Sequence, residues 1–320
     1  MNDMEENSTP RGEFALIDFI RRGAAATEAV QIGIGDDCAV LKAPGGAVVV
    51  TTDMIVQGVH FQKQDPLRQV GWKAACVSFS DVAAMGLRPT ALVCAAALPE
   101  NFSMGQAEEV FIGVNDACAE FDVAMAGGDT ASSTGPLSLC TTVLGYASPE
   151  LKPILRSGAQ PGDIILVTGS LGGSVLGRHL TFRPRIEEAL FLNSNFDVHA
   201  MIDISDGLAA DLNHILEESK TGAVIEAARI PIADAARELS KRTGKTPLRH
   251  ALSDGEDFEL LFTMHPDEAE HLMEDENIPR AVSPIGRITE SGMFIEQGGR
   301  RRRLKPEGYE HFKRGKRGRE

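Results

Sequence analysis

The chain has 320 residues, which is enough for two domains of ordinary size. Hydrophobic residues make up 42% of it, so each domain can bury a core, and no apolar run approaches the roughly 20 residues of a membrane span. The net charge of −14 combines a basic stretch at residues 300–320 with a strongly acidic remainder, which disfavours nucleic acid as a main partner.

The chain ends and the cysteines predict a cytoplasmic protein. Residues 1–10 are polar and acidic and lack the apolar segment of a signal peptide. The five cysteines are scattered without CxxC spacing, which is typical of free thiols rather than of a disulfide or zinc framework. We interpret the basic residues 313–320 as a solvated tail, with nucleic-acid or membrane contact as the alternative.

Strand and helix patterns alternate along the chain. In the first half we predict strands at residues 47–52, 91–98, 123–126 and 137–146, and helices at 66–85 and 104–121. In the second half we predict strands at 164–168, 199–204 and 259–264, a glycine-rich turn at 169–173 and a helix at 206–219. A turn-rich joint at 157–163 places the boundary near residue 150. The pattern therefore predicts two domains of the α/β (α+β) class, at residues 1–150 and 151–320.

Acidic residues recur beside glycines and near the ends of the predicted strands. They are Asp36, Asp37, Asp53, Asp81, Asp129, Asp203, Asp206, Glu256 and Asp257. Glycine permits close ligand approach, and carboxylates hold Mg²⁺ together with substrate phosphates. A single Asp-Gly pair is most simply a surface turn, but the repeated set predicts a magnesium site.

Asp81 is informative because of its position in the predicted helix at 66–85. Val70, Ala74 and Val77 share one face of that helix with it. An acid on an otherwise apolar face is either a buried, hydrogen-bonded structural group or a metal ligand.

Three weaker signals have structural alternatives. Ser205 and Asp203, at the start of the helix predicted over 206–219, are either plain N-caps or part of an anion site made by free backbone amides. The turn at 169–173 resembles a phosphate loop only loosely, and a tight strand-to-helix turn explains it equally well. His60 follows a glycine at a strand end and is either a structural histidine or a ligand-binding one.

Nine short motifs occur along the chain in a fixed order. They are GEF at 12–14, GIGDDCA at 33–39, TTD at 51–53, GVHF at 58–61, SDVAAMG at 80–86, GGDT at 127–130, RSGA at 156–159, IDISDGL at 202–208 and GEDFEL at 255–260. Together they resemble the thiamine-monophosphate kinase family, over a stretch from about Gly12 to Phe312.

The resemblance implies a fold, an activity and an assembly. The fold would be the two-domain one shared with aminoimidazole ribonucleotide synthetase, with an N-terminal domain that forms a β-barrel-like dimer interface. The activity would be ATP-dependent phosphorylation of thiamine phosphate to thiamine diphosphate, with several Mg²⁺ ions and ATP in the cleft between domains. The protein would be a homodimer.

The resemblance also implies a role for each matching residue. Asp37, Thr51, Thr52, Asp53, Asp81, Asp129, Asp203 and Asp206 would hold Mg²⁺. Gly128, Asp129, Arg156 and Ser205 would contact ATP. His60, Glu256 and Tyr309 would contact thiamine phosphate, with a plain anchor for the chain end as the alternative for Tyr309. Asp53, Asp81 and Arg156 would carry catalysis.

One motif departs from the family pattern. Similar proteins read Gly-Gly-Glu-Asp where this chain has Asp254 directly before Gly255 and Glu256. The replaced glycine raises the question of whether the backbone beside Glu256 keeps its conformation.

The sequence disfavours three other functions. Selenophosphate synthetase needs a reactive Cys or selenocysteine in a glycine-rich N-terminal segment, which this chain lacks. The hydrogenase-maturation carbamoyl dehydratase needs a C-terminal Cys, and no Cys follows Cys140. A non-catalytic nucleotide- or metal-binding scaffold is disfavoured because every acidic motif is retained.

Overall fold

The computed structural model describes residues 17, 20–22 and 28–309. The motif at residues 12–14 and the basic residues 310–320 lie outside this part. Within it, no helix combines the length and the apolar character that crossing a bilayer requires.

The first half contains an open six-stranded sheet. Its strands are β1 (Val30–Ile32), β2 (Ala39–Ala43), β3 (Gly46–Val56), β4 (Pro89–Pro99), β5 (Ala124–Ser133) and β6 (Ser138–Ala147). They lie in the order β1-β2-β3-β6-β4-β5, and all neighbours are antiparallel except β4 and β5. The edge strands are thus β1 and β5.

Two helices cover one face of this sheet. Helix α1 (Leu67–Ala84) packs on β3 and β6, and helix α2 (Met104–Glu120) packs on α1. Helix α2 begins with a capping box between Ser103 and Gln106. Helix α1 also contacts elements of the second half, so most of its residues from Val70 onwards are buried.

The second half contains a seven-stranded sheet. Its strands are β7 (Ile164–Thr168), β8 (Val198–Asp203), β9 (Gly222–Glu226), β10 (Leu260–Met264), β11 (Val282–Thr289), β12 (Met293–Gln297) and β13 (Arg300–Arg303). They lie in the order β13-β12-β9-β11-β7-β10-β8, with β9 and β12 the parallel pair.

Helices lie on both faces of this second sheet. They are α3 (Arg178–Thr181), α4 (Ile186–Asn195), α5 (Leu208–Ser219), α6 (Asp234–Thr243), α7 (Pro247–Ser253) and α8 (Pro266–Glu274). One core joins α1 and the first sheet to one face of the second sheet, with Phe79 and Phe262 both fully buried in it. A second core, including Leu212 and Ile225, covers the other face. The shared core places α1 directly against β8, and both elements carry predicted site residues.

The mixed sheets and helices of the two halves confirm the predicted fold class. The prediction that the acids stand at strand ends was wrong for two of them. Asp53 lies inside β3 because that strand stays paired with β6 as far as Val56. Asp129 lies inside β5, which stays paired with β4 as far as Ser133. Asp81 lies within α1, as the predicted helix at 66–85 placed it.

Candidate active site

Three predicted carboxylates converge where the two halves meet. Asp37, Asp81 and Asp203 each place an oxygen within 4.8 Å of the others. Asp37 precedes β2, Asp81 lies on α1 and Asp203 ends β8, so both halves contribute. Asp37 and Asp203 are buried and Asp81 is half-buried. We call these three residues the carboxylate triad.

Hydroxyl groups orient the triad. Thr51 Oγ1 donates to Asp81 Oδ2 at 2.5 Å, and Ser80 Oγ donates to Asp203 Oδ2 at 2.5 Å. Short hydrogen bonds to a carboxyl oxygen restrict the side chain, so they fix the side-chain rotamers. The triad is therefore preorganised by residues of the first half.

Asp53 adjoins the triad through Asp81. It lies on the same face of β3 as Thr51, accepts a 2.8 Å hydrogen bond from Ser78 Oγ and is hydrogen-bonded to Asp81. A pair of carboxylates this close can share a proton. Four acids of the sequence prediction thus form one group.

The electrostatics of this group favour a bound cation. Burial, followed by the charges of Asp53 and Asp203, raises the pKa of Asp81 well above its ordinary value. Burial and the charge of Asp37 raise the pKa of Asp203 to about 7. Like charges that cannot separate either keep protons or bind a cation. Because the donors are all carboxylate or hydroxyl oxygens, this set fits a hard divalent cation.

Arg156 lies at the edge of the triad. Its Nη2 donates to Asp37 Oδ1 at 2.9 Å and its Nε to Asp37 Oδ2 at 3.3 Å, while its backbone N donates to Asp36 at 3.2 Å. Ser219 Oγ donates to the Arg156 carbonyl oxygen at 3.1 Å. The guanidinium thus sits beside the carboxylate triad, at the joint between the halves.

A second possible metal group lies at the start of α5. Asp206, Asp211 and His214 place ligand atoms within 4.8 Å of one another. The Asp211 carboxylate accepts from the backbone N of Asp206 at 3.1 Å and of Gly207 at 3.0 Å. The backbone amides of Asp206 and Gly207, which were expected to be free for an anion, therefore already donate hydrogen bonds to Asp211. The N-cap is Gly207, so the plain N-cap interpretation of Ser205 and Asp203 was wrong.

His60 and Glu256 are joined by a residue that the sequence analysis missed. Lys73 Nζ donates to the His60 carbonyl oxygen at 2.7 Å and to Glu256 Oε1. His60 Nδ1 accepts from the Val56 backbone N at 3.0 Å, so a neutral ring carries its proton on Nε2. The available signal was a lysine inside the apolar helix that carries Asp81.

The backbone beside Glu256 accommodates Asp254, which stands where similar proteins have glycine. Asp254 has φ −78° and ψ −32°, an ordinary right-handed conformation that needs no glycine. Its carboxylate is 2.7 Å from His250 Nδ1. The position that requires glycine is Gly255, with φ +73°, where a Cβ would lie 2.5 Å from the Ser205 carbonyl oxygen. The Asp254 replacement thus leaves the turn before Glu256 intact.

The glycine-rich turn at 169–173 is held by a carboxylate of the chain itself. Asp257 Oδ2 accepts from the Gly172 backbone N at 2.8 Å, and Asp257 Oδ1 accepts from Ser174 Oγ at 2.7 Å. This arrangement favours a tight structural turn over a phosphate loop.

The remaining predicted residues lie outside the triad. Thr52 points to the exposed face of β3, where its Oγ1 donates to the Thr141 carbonyl oxygen at 3.1 Å. Asp129 is exposed on edge strand β5, and its carboxylate accepts from the Thr130 backbone N at 2.9 Å. Neither side chain joins a metal-type group within the part of the chain that the structure describes.

Gly128 and Tyr309 have clear structural contacts. A Cβ on Gly128 would lie 1.9 Å from the Cys94 carbonyl oxygen, so close strand pairing alone demands glycine there. Tyr309 is 44% exposed, and its backbone N donates to the Asp206 carbonyl oxygen at 3.0 Å. Tyr309 is thereby tied to the second metal-type group.

Comparisons with known proteins match most of the length of the chain. The models for the N-terminal and C-terminal domains of AIR synthase related proteins match residues 35–147 and 160–298. Thiamine-monophosphate kinase of Rhodopirellula baltica is 40% identical over 285 residues, which is 86% of this chain and 89% of that protein.

Solved structures of thiamine-monophosphate kinases resemble this chain in fold. The structure of AaThiL complexed with AMPPCP and TMP superposes with a TM-score of 0.82 at 30% identity, over 94% of this chain and 97% of that one. Thiamine-monophosphate kinase from Stenotrophomonas maltophilia has a TM-score of 0.70 at 35% identity, over 89% and 96%. With its motifs, fold and full-length similarity all in agreement, the chain belongs to the thiamine-monophosphate kinase family.

Proposed function

We propose that this chain transfers the γ-phosphoryl group of ATP to thiamine phosphate, with Mg²⁺ held by Asp37, Asp81 and Asp203. The observation that carries the proposal is the carboxylate triad, whose oxygens lie within 4.8 Å of one another between the two halves. The family relationship and the AaThiL complex with AMPPCP and TMP support the choice of substrates.

The charge of the reactants explains why such a triad is needed. Two phosphate groups of about −2 charge, roughly 5 Å apart at an effective dielectric of about 20, repel by on the order of 10 kcal/mol. Bound Mg²⁺ would neutralise the phosphates and hold them in line for transfer. An acidic site is thus compatible with anionic substrates.

The residues of the chain then hold and orient the reactants. Thr51 and Ser80 keep the carboxylates of Asp81 and Asp203 in fixed rotamers. The Arg156 guanidinium, at the edge of the triad, is placed to donate hydrogen bonds to phosphate oxygens. Asp53, Asp81 and Arg156 are the residues to which we assign catalysis.

The acceptor oxygen needs no general base. A phosphate monoester has a second pKa near 6, so thiamine phosphate is mostly a dianion at neutral pH. Its oxygen can attack the γ-phosphorus of ATP directly, without first giving up a proton to the protein. Free thiamine, which offers a hydroxyl group, would be a poor acceptor for the same reason.

The remaining assignments belong to the same proposal. Further Mg²⁺ contacts are assigned to Thr51, Thr52, Asp53, Asp129 and Asp206. Contacts to ATP are assigned to Gly128, Asp129, Arg156 and Ser205. Contacts to thiamine phosphate are assigned to His60, Glu256 and Tyr309. The bond between Lys73 and both His60 and Glu256, and the bond from Tyr309 to Asp206, support the placement of the acceptor next to α1 and α5.

The proposal also covers the oligomeric state and the role of each domain. Residues 1–150 would bind metal and ATP and form the dimer, and residues 151–320 would complete the cleft. A homodimer is supported by an exposed apolar face on the first sheet. Its members are Met54, Val93, Leu144 and Tyr146, each 41–58% exposed. Five free cysteines support a cytoplasmic location.

The test is a steady-state assay of thiamine diphosphate formation. We expect turnover with ATP, Mg²⁺ and thiamine phosphate, little with free thiamine as acceptor, and none in excess EDTA. Equal turnover of free thiamine, or activity without divalent cation, would contradict the proposal.

A further inference from the structure

Lys73 is a fully buried lysine in the middle of α1. Its exposed fraction is 0%, and it is among the largest fully buried side chains of the protein. Lysine is almost never fully buried unless it is paired, because removing an ammonium group from water is costly. Its partners therefore indicate why it is there.

Both partners are residues assigned above to thiamine phosphate. The ammonium group donates to the His60 carbonyl oxygen at 2.7 Å and forms a salt bridge with Glu256 Oε1. His60 is 13 positions away in the first half, and Glu256 is 183 positions away in the second half. The lysine thus connects the two halves across the cleft.

The Glu256 carboxylate is partly exposed to the cleft. It is 30% exposed, whereas the Lys73 side chain beneath it is fully buried. Lys73 binds the Oε1 atom, which leaves the carboxylate able to accept further hydrogen bonds from a ligand.

The backbone of this loop is held separately from the side chain. Glu256 has φ +54°, and its backbone N donates to the Ser205 carbonyl oxygen at 2.6 Å. Phe258 N donates to the Ile204 carbonyl oxygen at 2.8 Å. Because these bonds fix only the main chain, the direction of the carboxylate depends on its bond to Lys73.

The same helix also carries part of the carboxylate triad. Lys73 and Asp81 are eight residues apart on α1, which corresponds to about 12 Å along the helix axis. A rigid, buried helix therefore sets the spacing between the Glu256 carboxylate and the cation-binding group.

We propose that Lys73 is a positioning residue for the acceptor substrate, acting by holding the Glu256 carboxylate and the His60 main chain at one fixed spacing. The Glu256 carboxylate then faces the ring system of thiamine phosphate, whose thiazolium carries a permanent positive charge. The inference rests on the proposed function for the identity of that ligand. Lys73 itself does not touch the reacting atoms.

The experiment measures binding and turnover in Lys73→Met, Lys73→Arg and the exposed control Lys245→Met. Methionine keeps a similar length and apolar stem, so a buried position can accept it. For Lys73→Met we expect the Kd and KM for thiamine phosphate to rise about 10- to 100-fold. The Kd for a non-hydrolysable ATP analogue should change less than about twofold, and Lys245→Met should match the wild type.

A double-variant cycle separates positioning from packing. Once Lys73→Met is present, adding Glu256→Gln should weaken thiamine phosphate binding much less than it does in the wild type. If Lys73→Met lowers the melting temperature but leaves thiamine phosphate binding unchanged, the inference is overturned. If Lys73→Met does not fold, Glu256→Gln alone must still raise the Kd for thiamine phosphate selectively, and its failure to do so also overturns the inference.

Failure of the proposed function gives a different result. A wild-type protein that binds thiamine phosphate without converting it contradicts the proposed reaction, but the binding comparison among the Lys73 variants still decides this inference. A wild-type protein that does not bind thiamine phosphate contradicts both.

Discussion

Ser80 Oγ donates a 2.5 Å hydrogen bond to Asp203 Oδ2, which links helix α1 of the first half to strand β8 of the second. The next residue, Asp81, lies in the same triad as Asp203, with oxygens within 4.8 Å. The bond therefore fixes the relative position of two carboxylates that come from different halves of the chain. This relationship makes the joint between the halves the place where a cation and phosphates would be held.

The first prediction concerns Asp53 and Asp81. Replacing either by Asn keeps the size of the side chain but removes a charge that, in the proposed function, holds the cation and contributes several kcal/mol to the transition state. We expect Asp53→Asn and Asp81→Asn each to lower kcat on the order of 100-fold or more at saturating Mg²⁺. Circular dichroism should find both variants folded.

The matched control is Asp234→Asn, a fully exposed acid on α6. It should keep wild-type kcat. If Asp81→Asn or Asp53→Asn retains near wild-type kcat, that residue does not hold the cation. If the variant unfolds instead, the acid is structural.

The second prediction concerns pH and metal binding. The pKa of Asp203 is raised from 3.8 to about 7, first by burial and then by Asp37, and the pKa of Asp36 is raised to about 7 by burial and the charge of Asp37. Because these carboxyl groups bind protons more tightly in the folded state than in the unfolded state, protonation stabilises the fold. This contribution is fully present below pH 3.8 and is lost as the pH rises towards 7. The melting temperature of the metal-free protein should therefore fall between pH 5 and pH 8.

If the triad is the Mg²⁺ site, Mg²⁺ should reverse this loss, because it would bind the ionised carboxylates. The increase in melting temperature on adding Mg²⁺ should be larger at pH 8 than at pH 6, by differential scanning fluorimetry. Asp203→Asn should reduce the difference between the two pH values. A Mg²⁺-induced shift that is the same at both pH values would count against the triad as the cation site.

How far the sequence predicted this site can be judged from individual residues. Helical periodicity placed Asp81 on a buried face of α1, and the family motifs identified Asp37 and Asp203 as its partners. The hydroxyl of Ser80 was missed because its acceptor is 123 positions away. Lys73 gave a local signal, as a lysine within an apolar helix, but its partner Glu256 is 183 positions away and could not be identified from the sequence.

Several helices and strands were also predicted from the sequence. The helix at 66–85 and the strand at 164–168 were predicted within a residue or so of the observed α1 and β7. The strand containing Asp53 was predicted too short, because its last residues are held by pairing with β6 rather than by their own propensity. Asp211 was not recognised as the acceptor for the amides at the start of α5, because local sequence pointed to Ser205 and Asp203.

The third prediction concerns Tyr309. If its ring stacks on the thiazolium, the attraction is about 0.5–2 kcal/mol, which is roughly 2- to 30-fold in binding. Tyr309→Ala should raise the KM for thiamine phosphate by that factor and leave the KM for ATP unchanged. Tyr309→Phe should be nearly silent, because the hydroxyl is not needed for the stacking.

Tyr309 also has a structural alternative, since its backbone is bonded to Asp206. Equal increases in both KM values, or a large fall in melting temperature with unaltered kinetics, would assign Tyr309 to anchoring the chain. Kinetics and thermal melts on the same two variants decide between these outcomes.

The fourth prediction concerns the proposed dimer. Leu144 is 41% exposed on the apolar face of the first sheet, and Ile112 is equally exposed on α2. Wild-type protein should be a dimer by light scattering at micromolar concentration. Leu144→Lys should shift it towards monomer because it places a charge in the interface, whereas Ile112→Lys should remain dimeric. A monomeric wild type, or dimers that withstand Leu144→Lys as well as Ile112→Lys, would contradict an interface on this face.

The central claim is direct phosphoryl transfer from ATP to thiamine phosphate, and a single-turnover experiment tests it most directly. Enzyme in excess is mixed with ATP labelled in its γ-phosphate, thiamine phosphate and Mg²⁺, then quenched in acid at successive times. The label should appear in the terminal phosphate of thiamine diphosphate at a rate no slower than kcat, with no labelled protein at any time. Label that accumulates on the protein, or is released as inorganic phosphate without labelled thiamine diphosphate, would contradict the account.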